Sequence, residues 1–412
     1  MAVYRLDYSH DKRLERGKIG RNLNSDWRRT PLINKQRLID EFIELVTTDS
    51  ETGDERAICD LLKEKLTSLG LQVIEDDSAK LTGHGAGNLI ATMPRTIQGA
   101  PKIYFTCHMD TVAPGKGIKP SIQGDYIVSD GTTILGSDDK AGLAALLEGL
   151  RVMQEQKLPH GQIQLIITAG EESGLIGSRH LEMKLVDADF GFAFDSDGPV
   201  GTIITSAPSQ VKILATIHGK SAHAGVDPEN GISAIQVASR AISKMRLGRI
   251  DAETTANIGK FQGGIASNVV PDRVEIVAEA RSRNEVKLRA QVKHMVQAFE
   301  EAAEQFGARA EVETKVLYPG FKFTEEDVVV KKAKAAVEKV GRTPKIAASG
   351  GGSDANVIAG HGIPTVNLGI GYENIHTTKE RMPIAELEKA AELVVELVGE
   401  CAKVPVHSTT SK

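Results

Sequence analysis

The segment GQIQLIITAGEESG, residues 161–174, constrains this chain more than any other. Ile163, Leu165, Ile166 and Ile167 form an apolar, β-branched run bounded by glycines, the pattern of a strand buried on both faces of a parallel sheet. It closes on two adjacent acids, Glu171 and Glu172, whose like charges repel. An isolated acid pair is ordinarily solvated surface. In open α/β sheets, however, ligands bind beyond the carboxyl ends of the strands, and this pair would sit there.

At 412 residues the chain is too long for one simple core and predicts two domains, one of them discontinuous. From residue 34 to 205, strand-like and helix-like segments alternate, which predicts a βαβ-type sheet. LIDEFIELV and RAICDLLKEKLTSLG read as helices, the second closed by Gly70, and KIYFTC reads as a buried strand. In GLAALLEGLRVM, Leu143, Leu146, Leu147, Leu150 and Met153 fall on one helical stripe. Between the turn signals SAPSQ and YPGF the order becomes strand, helix, strand, strand, helix, strand, the split βαβ pattern of a small inserted domain. The expected fold is α/β: a discontinuous larger domain, residues 34–208 and 319–405, with a mixed sheet flanked by helices, and an inserted βαββαβ (ferredoxin-like) domain over 209–318. Residues 1–33 read as a polar N-terminal arm or an appended extension, and 406–412 as a flexible tail.

The net charge of −5, with no basic stripe interleaved with aromatics, argues against a nucleic-acid partner. No apolar run reaches membrane-spanning length, so no membrane partner is expected, and the first thirty residues lack the apolar core of a secretory signal. Cys59, Cys107 and Cys401 are spaced too widely for a disulfide framework or a CxxC metal site, which fits a reducing cytoplasm.

The other predicted strand ends carry chemistry that matches the acid pair. IYFTCHMDTV places His108 and Asp110 just past a strand, and ILGSDDKAG places Asp138 and Asp139 at the entrance of the leucine-striped helix. FAFDSDGPVG places Asp195 past another strand, and NIHTTKE supplies His376 in a polar loop. Each alone would be a packed or solvated residue. Together they form a set of carboxylates and imidazoles suited to two divalent cations of the zinc type. Without cations, carboxylates converging on one cleft would repel and raise one another's pKa. Two Zn²⁺ carry four positive charges, three ligating carboxylates and one hydroxide carry four negative, and the sum is zero. Competing chemistries lack their signatures. There is no GxSxG elbow, ASGGGSDANV lacks the Lys-Ser/Thr of a P-loop, and Cys107 has no assigned base.

The order HMD, GSDDKAG, AGEESG, FDSD and NIH resembles the M20 family of dinuclear zinc peptidases, most closely its peptidase T (tripeptidase)-like branch, over about residues 34–405. Position by position, the resemblance implies that His108 and Asp195 bind one metal, that Glu172 and His376 bind the other, and that Asp138 bridges both. It implies Asp110 as the partner orienting His108 and Glu171 as general base. It also implies that His223 of HGKSAHAGVDPENG reaches into the active site, and that Asn268 of GGIASNVVPD and Arg281 of AEARSRN contact substrate, Arg281 clamping a carboxylate with its planar fork. Beside these roles stand plainer ones, a loop histidine for His223 and a surface ion-pair residue for Arg281.

The implied activity is release of the N-terminal residue from short peptides by a metal-bridged hydroxide. The implied cofactors are two divalent ions per chain, zinc before cobalt or manganese. The implied partners are a short peptide substrate and a second copy of the chain, joined through the inserted lid domain. Asp195 points the same way, because family members acting on free N-termini tend to carry Asp there and carboxypeptidase-like members Glu. A carboxypeptidase or N-acyl amino acid deacylase on the same fold is the alternative. A non-catalytic metal-dependent binding protein is a second, against which Glu171 stands, present alongside every ligand.

Overall fold

The computed structural model describes residues 33–403. The expected N-terminal arm, apart from Ile33, and the expected tail lie outside the described residues.

Four strands run parallel at the centre of a nine-stranded sheet, in the spatial order Ile163–Thr168, Ile103–His108, Phe190–Ser196 and Thr365–Gly369. Leu89–Met93 and Thr202–Ala207 flank them antiparallel, so the sheet is mixed, as expected. Every residue of Ile103–His108 and Ile163–Thr168 is buried, which is why these strands read as continuous apolar runs and not as alternating ones. Phe105 packs against both Phe192 and Phe194 of the neighbouring strand.

Helix Ser137–Glu155 lies between this sheet and the helices Lys35–Thr47 and Ile384–Ala402. The leucine stripe is therefore only half of its packing surface. Ala141, Ala144, Ala145 and Gly149 are buried as well. A Cβ on Gly149 would lie 2.7 Å from Cγ1 of Val394, so the missing side chain is what lets the two helices approach. Glu148 is buried on the same helix, and it is paired. It accepts hydrogen bonds from Nε and Nη2 of Arg37 at 2.6 and 2.9 Å and from the Asn34 N–H at 2.9 Å. An Arg fork satisfying a buried carboxylate ties helix Lys35–Thr47 to the centre of the molecule.

A second, five-stranded antiparallel sheet runs Gly248–Arg249, Thr254–Gly263, Arg273–Ser282, Ser209–His218 and Arg309–Tyr318. Helices Ala234–Lys244 and Glu285–Phe306 pack on it around a separate apolar core that includes Ile213, Ile217, Val237, Ile276, Met295 and Phe299. Strand, helix, strand, strand, helix and strand follow in the expected order. The two-residue strand Gly248–Arg249 is an addition too short to carry a periodicity.

A third small sheet, Ser121–Gln123, Tyr126–Val128 and Arg381–Pro383, was equally illegible in the sequence. It docks the chain just after His376 onto the loop before the central helix. No described helix is long and apolar enough to cross a membrane.

Candidate metal centre

The carboxyl ends of the parallel strands deliver the predicted residues to one place. His108 is the last residue of Ile103–His108, Asp195 lies near the end of Phe190–Ser196, and Glu171 and Glu172 follow Ile163–Thr168. Asp138 enters from the start of the central helix. His376 comes from the late loop with φ +61°, a left-handed backbone uncommon for a side chain other than glycine.

Asp138 stands between the two imidazoles. Its Oδ1 is 3.1 Å from Nε2 of His108, and its Oδ2 is 3.3 Å from Nε2 of His376. Nε2 of His376 lies 3.0 Å from Oε1 of Glu172, and Nε2 of His108 lies 3.8 Å from Oδ1 of Asp195. Donor atoms of His108, Asp138 and Glu172 lie within 4.8 Å of one another, and so do those of His108, Asp139 and Asp195. Of the two aspartates, Asp138 is the better bridge. Asp139 is fully buried and its Oδ2 accepts the backbone N–H of His108 at 3.3 Å, a bond that holds the strand end.

Asp110 serves both sides of this arrangement. Its Oδ1 and Oδ2 accept the backbone N–H groups of Glu171 and Glu172 at 3.0 and 3.1 Å, and its backbone oxygen lies 2.9 Å from Nδ1 of His108. With Nδ1 engaged there, Nε2 faces the carboxylates, the orientation a ligating histidine needs. The loop bearing the acid pair is also supported from behind. Gly170, at φ +70°, packs against His84, whose Nδ1 lies 2.8 Å from Oε1 of the buried Glu55.

The electrostatics of this cluster demand cations. Burial pushes Glu171 well above the usual carboxylate range, reinforced by the charges of Asp354 and Glu172. Burial, then the neighbouring Glu171, does the same to Asp195. Burial works against ionised Asp138, yet hydrogen bonds from His108 and His376 hold its carboxyl below the usual range. Hydrogen bonds to Asp138 and Glu172 raise His376 to about 10. Burial opposes the charged form of His108, and its bonds to Asp110 and Asp138 overcome that, raising it well above the ordinary imidazole value. One buried lysine, Lys140, reaches into this region, lowered to about 8 by burial and bonded to Oγ of Ser50 at 2.8 Å. Oδ1 of Asp139 is buried with no hydrogen-bond partner among the described residues. Carboxylates that raise one another's pKa and imidazoles whose Nε2 atoms face them make a donor set that fits two divalent ions.

The centre opens into a cleft of about 370 Å³. Asp197, Gln210, Arg281, Tyr318 and the glycine-rich loop at Ser349–Ser353 line it together with Glu171, Asp195 and His376. That loop, which lacks a P-loop's Lys-Ser/Thr, borders the carboxylate cluster instead. Arg281 reaches the cleft and is also paired with Glu279, so it is an ion-pair residue whose guanidinium borders the cleft. His223 and Asn268 are not among the lining residues. Both are exposed at the far tip of the second sheet, where the Ala224 N–H donates to the Asn268 oxygen at 3.0 Å.

Glu380 escaped the sequence reasoning. It is buried, its Oε2 accepts the N–H groups of Leu135 and Gly136 at 2.8 Å each, and its Oε1 accepts the Ser137 hydroxyl at 2.6 Å and the Asp138 N–H at 3.1 Å. One carboxylate thus fixes the turn that presents Asp138, from the same loop that presents His376. Its only signal was its place four residues beyond His376. Asn367 was missed too: its Oδ1 accepts the Asp195 N–H at 3.0 Å, and its Nδ2 donates to the Asp195 oxygen at 2.6 Å.

Residues 104–400 match the description peptidase family M20/M25/M40. The chain is 59% identical to the Bacillus subtilis protein YqjE over 372 residues, covering 90% of this chain and 100% of that one. Among solved structures, the aminopeptidase PepT from Bacillus cereus is 60% identical with a TM-score of 0.84, covering 90% of this chain and 100% of its own. A tripeptidase from Staphylococcus aureus is 53% identical with a TM-score of 0.86, covering 90% of this chain and 99% of its own.

Proposed function

The chain belongs to peptidase family M20/M25/M40, and from that premise we propose that it releases the N-terminal residue of short peptides, in the manner of a tripeptidase, with two divalent metal ions. The observation that carries this is Asp138, one oxygen toward His108 and the other toward His376, beside a Glu171 that makes no such contact. His108 and Asp195 would hold one ion, Glu172 and His376 the other, and Asp138 both. Zinc suits this mixed imidazole and carboxylate set best, with cobalt or manganese as substitutes. Such ions, when bound, acidify a water and polarise the scissile carbonyl.

The chain's own residues supply the rest. A Glu171 carboxylate oxygen takes the proton of the attacking water and passes it to the leaving amine, a task suited to a carboxyl whose proton affinity burial and neighbouring charge increase. Asp110 keeps Glu171 and Glu172 at fixed positions through their N–H groups. Arg281 clamps the carboxylate of the peptide, and Asn268 and His223 contribute when the unit at 209–318 closes as a lid over the unit formed by 34–208 and 319–405. That lid would also join two copies of the chain.

Direction of cleavage rests on Asp195 and on the aminopeptidase and tripeptidase relatives. Asp197 is exposed at the cleft and is a carboxylate available to a substrate ammonium. Mass spectrometry on a short peptide offered free and N-acetylated tests this. Loss of the first residue, with turnover nearly abolished by acetylation, is expected. Release of the last residue, or faster cleavage of the acetylated peptide, would turn the assignment to a carboxypeptidase or deacylase.

A further inference from the structure

Arg281 is held from behind. On the strand Arg273–Ser282, Val274, Ile276, Ala278 and Ala280 are buried in the core beneath the two helices. The pleat therefore turns Glu279 and Arg281 together to the opposite face. Nε and Nη2 of Arg281 donate to Oε1 and Oε2 of Glu279 at 2.9 and 3.0 Å, a bidentate pair that occupies one edge of the guanidinium. Nε2 of Gln210, which stands directly opposite Arg281 on the neighbouring strand, donates to the same Glu279 carboxylate. Arg281 and Gln210 line the cleft and Glu279 does not.

We infer that Glu279 is a positioning residue that sets the selectivity for peptides with a free C-terminal carboxylate, by fixing Arg281 with its second edge toward the cleft. The inference rests on Arg281 being the carboxylate clamp. Nη1 and the remaining N–H of Nη2 find no other protein partner among the described residues, and together they form the second planar fork that a carboxylate accepts through two parallel bonds. The same cleft holds Asp138, Glu171, Glu172 and Asp195, all acidic. A guanidinium on a long side chain would be drawn toward them if nothing restrained it, and would then neutralise the metal ligands while losing the peptide. Glu279 supplies the opposing charge from outside the cleft, and Gln210 keeps the Glu279 carboxylate in register. The side chain is thereby ordered before substrate arrives, so that binding has less freedom left to remove.

The test compares one tripeptide with a free C-terminus against its C-terminal amide. In Glu279→Gln, KM for the free peptide should rise about tenfold while KM for the amide, kcat and metal content stay near wild type. Glu279→Ala should act in the same direction and further, and Gln210→Ala in the same direction and less. Equal changes on both peptides, or a lower KM for the free one, would overturn the inference, the latter because Glu279 would then be competing with substrate. Arg281→Ala separates the two levels. If it fails to discriminate the peptides, the clamp itself is wrong. If it discriminates them and the Glu279 variants do not, only the positioning role falls. Thermal midpoints within a few degrees of wild type confirm that each variant is folded.

Discussion

The loop bearing Glu171 and Glu172 and the turn bearing His223 both follow a strand, yet they are built in opposite ways. The first is fixed by partners far away in sequence: Asp110 in front, and His84 with the buried Glu55 behind. The second is an exposed turn, held by its own bonds and by the segment at 268–272, where the Asn268 oxygen accepts the Ala224 N–H and the Ala222 oxygen accepts the Val270 N–H, each at 3.0 Å. The His223 N–H donates to Oδ1 of Asp227 at 3.1 Å, the Gly225 N–H donates to Nδ1 of His223 at 3.1 Å, and the ring stays exposed. A group held by buried, long-range bonds is preorganised and acts where it stands. A group on an exposed turn can act only after the turn is delivered to the chemistry. The two regions should therefore fail differently when mutated.

The largest effect belongs to Asp138→Ala. Removing the residue that faces both imidazoles should empty both metal positions together and cut kcat/KM by more than about 10⁴-fold, since each ion contributes several kcal/mol and 1.36 kcal/mol is tenfold. Elemental analysis finding two ions in this variant would dismantle the bridge.

Next comes Glu171→Gln, which keeps the shape and removes the base. Activity should fall by roughly 10²- to 10⁴-fold with metal retained. Metal loss would show that Glu171 and Glu172 have exchanged roles, and near-normal turnover would place the base elsewhere.

His223→Ala should be milder, lowering kcat by roughly 10²-fold at unchanged metal content, the lower end of what losing one hydrogen-bond donor to the transition state costs. Changes at Pro208 and Pro319, between the two sheets, should also lower kcat if delivery of His223 requires closure. An unaltered kcat in the His223 variant would leave this residue a turn histidine.

The smallest effect is one of pH, and it divides the two regions most cleanly. Asp138 and Glu172 raise His376 to about 10, so the metal-free protein carries that proton at neutral pH. An ion bound there must expel it, and apparent affinity should rise about tenfold per pH unit, up to that pKa, for each proton displaced. Calorimetry in buffers of different protonation enthalpy counts the protons released. The count should fall in His376→Ala and stay unchanged in His223→Ala. If removing His376 leaves the count as it was, His376 is not a ligand.

Much of this was written in the chain itself. Parallel strands buried on both faces must be continuous apolar runs, so Ile163–Thr168 and Ile103–His108 were legible one after the other, and their ends marked where the acids and imidazoles had to gather. The βαββαβ order was legible because Ser209–His218 and Arg273–Ser282 alternate buried with more exposed residues and the two helices each keep one buried stripe. What the sequence could not decide was every relation carried by three-dimensional contact alone. Glu380 gripping the Asp138 turn, His84 behind the acid pair and Asn367 clasping Asp195 leave no periodic trace, because a hydrogen bond across tens or hundreds of residues imposes no spacing on the string. Nor could the sequence divide the candidate residues between the cleft and the tip. His108 and His223 look alike as letters, but strand ends packed in a buried sheet converge on one point. An exposed turn outside that sheet does not.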